Sequence, residues 1–500
     1  MSILLRTTAS ASRVDSEQAI SIARRTLIVS GTRLLNRAVM VISPIILARL
    51  LSVTEFGHYR EFLVYVTLLV SMAAFGINSS LLNFIPTDPK RGWRFVNQAV
   101  LMTLASSTLI GAGALLAHFW LNDTLLGAHP IAVVVYVWLF VNFDFWEALL
   151  IAEKQPYRVW AYTSGRLAGR LLVVTVAAIL THDVTTIIWS LIGFESLRLL
   201  VSMRAWHGRN RAAPRDGLIS WREQLAYCAP FGFGLMLGMF NSWCGSLFVA
   251  KMLGPVALAQ YTIGVYGQPI INIMRNSLSD VMLGEMAARK GNGNDEVLAL
   301  FRRTTVVTLM VLVGMGVVLA RFAETIVITL FSENYRPSIV LFQLYMLALV
   351  RESLDFGILI RALNRSTPIM RSSLVALMLN VGMLVVVVPV WGLRGAVIAF
   401  VISRVVEGFY LGTQTKNAYG VGWRELVRWA DVGKVLVAAG AAASVLFIPV
   451  WSGLLGAVAG ACVFALLFAV LLRLSGIPEA ALLWRHAQSY SRSLLARLQT

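Results

Sequence analysis

Eight arginines fall inside stretches that are otherwise apolar over membrane-spanning length. They are Arg33 and Arg37, Arg166 and Arg170, Arg198, Arg275, Arg351 and Arg404. A charged side chain at the bilayer centre costs roughly 2.5–3.5 kcal/mol even on the lenient insertion scale. Eight of them facing lipid would cost on the order of 20–28 kcal/mol. They are therefore expected to face a protein interior, a water-filled cavity or a carboxylate. The guanidinium fork matches phosphate oxygens in two-point geometry, and a low-dielectric cavity strengthens that contact. An interior lined this way suits the binding and passage of a large anion, so all eight are candidate substrate-binding residues of a cationic cavity.

Spacing sorts them further. Arg33 and Arg37 are four apart and share one helix face, as do Arg166 and Arg170. Gly165 and Gly169 accompany the second pair in a pattern that lets a neighbouring helix approach closely. Three arginines have a carboxylate on their own helix: Arg198 with Glu195, Arg351 with Asp355, and Arg404 with Glu407. The fourth apolar run carries Asp144 and Glu147, which would face Arg166 or Arg170 on the next, antiparallel run. Asp144, Glu147 and Asp355 are the candidates for taking up and releasing a coupling ion. Arg33 and Arg37 have no carboxylate within helical reach, which makes them the strongest candidates for touching an anionic cargo. At about 1.5 Å per residue, Asp144, Arg166, Arg33 and Glu195 fall in one layer between the membrane midplane and one face.

The elements that must carry these residues are membrane helices. The chain of 500 residues is 58% hydrophobic and 14% charged, against about 45–50% and about 25% for soluble domains. The fold class expected is all-α and polytopic, with about fourteen transmembrane helices. Apolar runs lie near 27–50, 60–84, 95–120, 130–152, 158–180, 184–203, 225–250, 258–283, 298–320, 337–360, 370–391, 394–415, 432–450 and 453–474. The net charge of +18 follows loop position rather than a nucleic-acid motif, so no nucleic-acid partner is expected. One set of connections holds Arg94, Lys154, Arg158 and the cluster Arg204, Arg209, Arg211, Arg215 and Arg222, and the opposite set is sparse. By the positive-inside rule the basic side is cytoplasmic and both termini lie there. No cleaved signal peptide is expected at the basic N-terminus.

The chain also repeats itself. Leu47-Ala48-Arg49-Leu50-Leu51-Ser52 leads to Tyr59, and Val249-Ala250-Lys251-Met252-Leu253-Gly254 leads to Tyr261 at the same spacing. Asp144-Phe145 in the fourth run matches Asp355-Phe356 in the tenth. Corresponding features six spans apart imply parallel repeats, an arrangement that places a substrate site between two lobes. The division expected is a cytoplasmic segment at 1–25, an N-lobe of six spans at 26–203, a basic linker at 204–224 and a C-lobe of six spans at 225–416. Two further spans at 417–474 and a cytoplasmic tail at 475–500 complete it. Gly264, Gly267 and Pro269 interrupt the eighth run and are candidate hinges. Cys228, Cys244 and Cys462 show no metal spacing. No phosphate loop, metal cluster or nucleophile motif stands out, so no catalytic residue, metal or cofactor is expected, and no enzyme activity.

The motifs resemble those of one family. Leu47–Tyr59 (LARLLSVTEFGHY), then Phe75-Gly76-Ile77-Asn78-Ser79, Phe84-Ile85-Pro86 and the turn Trp391-Gly392-Leu393-Arg394-Gly395-Ala396 look like those of Wzx-type polysaccharide flippases. These belong to the multidrug/oligosaccharidyl-lipid/polysaccharide exporter superfamily. The resemblance implies translocation of undecaprenyl-diphosphate-linked oligosaccharide repeat units from the cytoplasmic to the periplasmic leaflet of a bacterial inner membrane, for exopolysaccharide or O-antigen. It implies a cationic cavity, alternating access driven by an H+ or Na+ gradient, and contact with membrane lipids, a polysaccharide polymerase and export machinery. A lipid II flippase and a drug/cation antiporter are the rivals within the superfamily. A membrane polysaccharide polymerase or ligase is the rival of another class, and it would call for a large outer loop.

Overall fold

The computed structural model describes residues 39, 41–87, 92–121, 126–211, 221–268, 275, 279, 282, 285–286, 293–363, 367–451, 453–482 and 484–485. Among them there is no strand, and ten helices are long and apolar enough to cross a membrane. The chain is a multi-pass helical membrane protein. Each of the fourteen apolar runs coincides at least in part with helix. Two long helices each join two runs through a glycine with non-helical dihedrals, Gly254 (φ 82°) and Gly392 (φ 55°). A side chain at either would be strained in that region of backbone space.

The chain forms two compact units, Met1–Met239 and Phe240–Thr500. In unit 1 the order is α1 (Val41–Leu50), α2 (Val53–Ala74), α3 (Ile77–Thr87), α4 (Gly92–Trp120), α5 (Pro130–Val141), α6 (Trp146–Ala152), α7 (Pro156–Thr181), α8 (Val184–Arg211) and the start of α9 (Trp221–Gly264). In unit 2 the end of α9 is followed by α10 (Asn294–Arg321), α11 (Ala323–Leu330), α12 (Ser338–Met346), α13 (Ala348–Glu352), α14 (Gly357–Ala362), α15 (Thr367–Tyr419), α16 (Trp423–Leu426), α17 (Trp429–Ala443) and α18 (Gly453–Leu474).

The sequence repeat has a backbone counterpart. Ser52 ends the first hexapeptide and caps α2, its hydroxyl accepting from the Glu55 N–H at 3.1 Å. Gly254 ends the second hexapeptide and breaks α9. Leu47, Ala48 and Tyr59 are buried, as are Val249, Ala250 and Tyr261. The second repeat pair, Asp144-Phe145 and Asp355-Phe356, marks a break within a span in each unit. Helix α5 stops at Val141 and α6 starts at Trp146, with Phe143 left-handed (φ 63°) between them. Helix α13 stops at Glu352 and α14 starts at Gly357.

Without a hydrophobic drive between helices in lipid, close packing and polar contacts hold the helices within each unit. A Cβ on Gly169 of α7 would lie 2.7 Å from the Phe194 ring of α8, so hydrogen alone fits there. Gly165 has open space at its Cβ position, so only half of the small-residue pattern packs. Gly232 of α9 lies against the Phe75 carbonyl, where α2 gives way to α3. Gly264 ends α9, and a Cβ there would meet Leu341 of α12. Val265–Gly267 follow as a turn. Pro269 lies outside the described residues, so the expected interruption is seen at its first two members.

Candidate functional site

Non-helical backbone at membrane depth is tolerated only where protein or water satisfies its polar groups. In unit 1 Arg198 of α8 does this. Its Nη2 donates to the carbonyls of Leu139 (2.6 Å), Phe140 (3.1 Å) and Asn142 (3.1 Å) at the end of α5. Its Nε donates to Glu195, one turn earlier on α8. Glu195 is fully buried and its Oε2 also lies 3.8 Å from Nη2 of Arg166 on α7. Arg166 Nη1 donates to Asp144 Oδ1 at 2.7 Å, and its guanidinium lies 4.5 Å from the centre of the Phe140 ring. Asn78 of α3 donates to the other Asp144 oxygen at 3.2 Å. One chain of contacts therefore runs through α3, the α5–α6 break, α7 and α8.

Arg170, one turn beyond Arg166, is different. Its guanidinium lies 5.9 Å from the centre of the Tyr136 ring, and no carboxylate or hydrogen-bond acceptor pairs with it among the described residues. Two guanidiniums, Arg166 and Arg198, thus meet two carboxylates, Asp144 and Glu195, and Arg170 is a third guanidinium beside them without a carboxylate of its own among the described residues. Unspent hydrogen-bonding capacity remains inside it. Arg166 Nη2, Arg198 Nη1, Glu195 Oε1 and the Tyr136 hydroxyl are buried with no hydrogen-bond partner among the described residues. Groups of this kind in a membrane interior accept water or a polar ligand. Glu147 opens α6 at the same break.

Unit 2 holds a second cluster with different partners. Glu352, at the end of α13, pairs with Arg275 and with Arg404 of α15, the latter at 2.9 Å. Arg404 also pairs with Glu407 on its own helix. Arg351 lies 3.9 Å from Glu407 and donates through Nε to the Arg404 carbonyl at 2.7 Å. Gly408 admits this approach, since a Cβ there would lie 2.7 Å from Arg351 Nε. Here three guanidiniums meet two carboxylates.

One expectation about pairing needs restating. The expected pair Arg351–Asp355 is replaced. Asp355 meets Arg361 at 3.3 Å and the Ser279 hydroxyl at 3.0 Å. The reason is the break after Glu352, which removes the helical i,i+4 geometry that would have aligned the two. Glu352, the carboxylate between Arg275 and Arg404, was not singled out by spacing, because its partners lie far away in sequence. Asn78 was part of a quoted motif without a role. Its contact with Asp144 supplies one. A small cavity beside the unit 2 cluster is lined by Arg275, Ser279, Thr304, Thr308, Glu352 and Asp355, among others. Arg33 and Arg37 lie outside the described residues.

A family model described as polysaccharide biosynthesis protein matches residues 46–340 of the chain. The chain belongs to this polysaccharide biosynthesis protein family. None of the curated proteins compared matches its sequence. Among solved structures, the fold is similar to the lipid II flippase MurJ in an inward closed conformation. The TM-score is 0.68 at 12% identity, covering 89% of this chain and 98% of that one. It is also similar to an inward-facing multidrug resistance MATE family transporter of the MOP superfamily, with a TM-score of 0.58 at 13% identity and coverage of 76% and 94%. A third is a MOP superfamily transporter from Pyrococcus furiosus, with a TM-score of 0.51 at 15% identity and coverage of 79% and 93%. The chain is therefore a member of a polysaccharide biosynthesis protein family whose fold is similar to that of MurJ and of the MATE family transporter.

Proposed function

We propose that the protein is a flippase that carries undecaprenyl-diphosphate-linked oligosaccharide repeat units from the cytoplasmic to the periplasmic leaflet of a bacterial inner membrane. The observation that carries this reading is the surplus of buried guanidinium over carboxylate in unit 1. Arg170 is its member without an anionic partner among the described residues. A diphosphate satisfies such a surplus, and the arginine fork engages it in two-point geometry. Arg33 and Arg37 join it as substrate-binding candidates on sequence grounds, as do Arg275, Arg351 and Arg404. The family match, a polysaccharide biosynthesis protein, supports a saccharide-bearing cargo.

Transport is by alternating access coupled to an H+ or Na+ gradient. Asp144 and Asp355 are the coupling candidates, with Glu147. Each of the two aspartates lies at a helix break and shares its carboxylate between a guanidinium and a neutral donor. Neutralising such an aspartate releases its arginine, which links ion occupancy to cargo affinity. Gly264, Gly267 and Pro269 serve as the hinge of the eighth run. A polysaccharide polymerase and export machinery would receive the flipped unit.

A lipid II flippase is the second reading, favoured by the likeness in fold to MurJ. A drug/cation antiporter is disfavoured by polarity. The description of the Pyrococcus furiosus protein ties reversed pocket polarity to a different function, and here the polarity is cationic. The test is Arg170→Gln in a strain dependent on this gene. Polymer export should fall at least tenfold at normal protein level, with lipid-linked repeat units accumulating on the inner leaflet. Undiminished export would remove Arg170 from cargo binding. Complementation of a strain lacking its lipid II flippase would favour the second reading.

A further inference from the structure

Arg170 has no carboxylate partner among the described residues, so another group must hold its guanidinium inside unit 1. What lies beneath it is aromatic. The guanidinium sits over the Tyr136 ring of α5, 5.9 Å from its centre, and that of Arg166 sits over the Phe140 ring at 4.5 Å. The two arginines are one turn apart on α7, and the two rings are one turn apart on α5. Two cations of one helix therefore meet two rings of its neighbour in register.

Both sides of this arrangement are fixed by packing. Tyr136 is fully buried, and its ring stacks on Phe140 with centroids 5.8 Å apart. Phe62 of α2 meets Tyr136 edge-on at 5.5 Å. Gly169, the residue before Arg170, lies against the Phe194 ring of α8 and sets where the arginine leaves α7. The choice of partner has a chemical consequence. A carboxylate holds a guanidinium by accepting from its N–H groups, as Asp144 does from Arg166. An aromatic face attracts the charge through its quadrupole and accepts none of the five N–H donors in the guanidinium plane. Tyr136 can thus fix a cation at membrane depth while its donors stay unspent, and a phosphate engages those donors in two-point geometry.

We propose that Tyr136 is a positioning residue of the cargo site, its ring holding the Arg170 guanidinium aligned for the diphosphate. The inference rests on the reading of Arg170 as a cargo-binding residue. Its test compares two rings of nearly one shape. The full-length protein is purified in detergent as Tyr136→Phe and, by stop-codon suppression, with a trifluorinated phenylalanine replacing Tyr136. Neither carries the hydroxyl, and fluorination withdraws the negative charge of the ring face. Binding of undecaprenyl diphosphate is measured by thermophoresis for both, with and without Arg170→Gln. The fluorinated ring should bind the lipid about five-fold more weakly than Tyr136→Phe, and the difference should vanish once Arg170→Gln is added. Equal binding by the two rings, with Arg170→Gln still weakening binding, overturns the inference and leaves the cargo reading in place. A fluorination effect of the same size in the Arg170→Gln background overturns it too, since the ring then acts on another group. Unchanged binding in Arg170→Gln alone overturns the cargo reading and the inference with it.

Discussion

Arg198→Met tests how the broken span of unit 1 is held. Arg198 contacts the carbonyls of Leu139, Phe140 and Asn142 and pairs with the fully buried Glu195. Removing one partner of a buried ion pair costs about 3–5 kcal/mol, chiefly because the other charge is stranded. Arg166, at 3.8 Å from Glu195, recovers part of that. The carbonyls that lose their donor add a further cost of about 1–3 kcal/mol before the backbone relaxes. A net loss of about 4 kcal/mol corresponds to a fall of about 8–16 °C in melting temperature for a unit of this size. Adding Glu195→Gln to Arg198→Met removes the stranded charge. The double variant should therefore melt above the sum of the singles, with a coupling of about 2 kcal/mol. Thermal unfolding in detergent, followed by size-exclusion chromatography of heated samples, reads all four corners of the cycle. An Arg198→Met protein melting within about 2 °C of wild type would refute the reasoning. So would strictly additive singles, since the pair would then contribute nothing as a pair.

Three other outcomes follow from named contacts. Gly169→Val forces a Cβ into the Phe194 ring and should cost about 1–3 kcal/mol, whereas Gly165→Ala, with open space at its Cβ, should leave the melting temperature equal or higher. Thermal unfolding of the two variants side by side checks both. Asp144→Asn frees Arg166 from its carboxylate. Transport in proteoliposomes should then lose its response to an imposed ion gradient while cargo binding is retained or strengthened. His129 precedes α5, outside the spans, and its pKa is lowered from 6.5 by burial first and then by nearby His58. A lowered folded-state value means the folded form binds fewer protons, so the neutral imidazole's contribution is full above pH 6.5 and is lost as pH falls below it. His129→Gln should therefore flatten the drop in melting temperature between pH 7.5 and pH 5.5.

The spans were legible because hydropathy over about 20 residues is a strong signal. The repeat was legible too, and each of its two quoted pairs coincides with a backbone break. The breaks themselves were not. Residues 130–152 and 337–360 read as continuous apolar runs, and nothing local in Asn142–Phe145 or Ser353–Phe356 forbids helix. What holds the first break open is Arg198, 56 residues further on from Asn142. The arginines were legible as an energetic anomaly, and so were partners on the same unbroken helix, as Glu195 and Glu407 are, or on the adjacent antiparallel run, as Asp144 is for Arg166. Where a span is interrupted, sequence spacing misassigns the partner. That is why Asp355 was matched to Arg351, while Glu352 at the centre of its cluster went unnoticed. Asn78 illustrates the same limit, since it reaches Asp144 across 66 residues.

The central claim is that the cationic interior selects an anionic, lipid-linked saccharide. The most direct measurement reconstitutes the purified wild-type protein in liposomes with a fluorescent polyprenyl-diphosphate oligosaccharide and, separately, a fluorescent cationic drug. Leaflet exposure is read by a membrane-impermeant quencher. Ion-gradient-dependent translocation of the diphosphate lipid is expected, with no transport of the cation and loss of the former in Arg170→Gln. Transport of the cation, or translocation of the diphosphate lipid undiminished in Arg170→Gln, would contradict it.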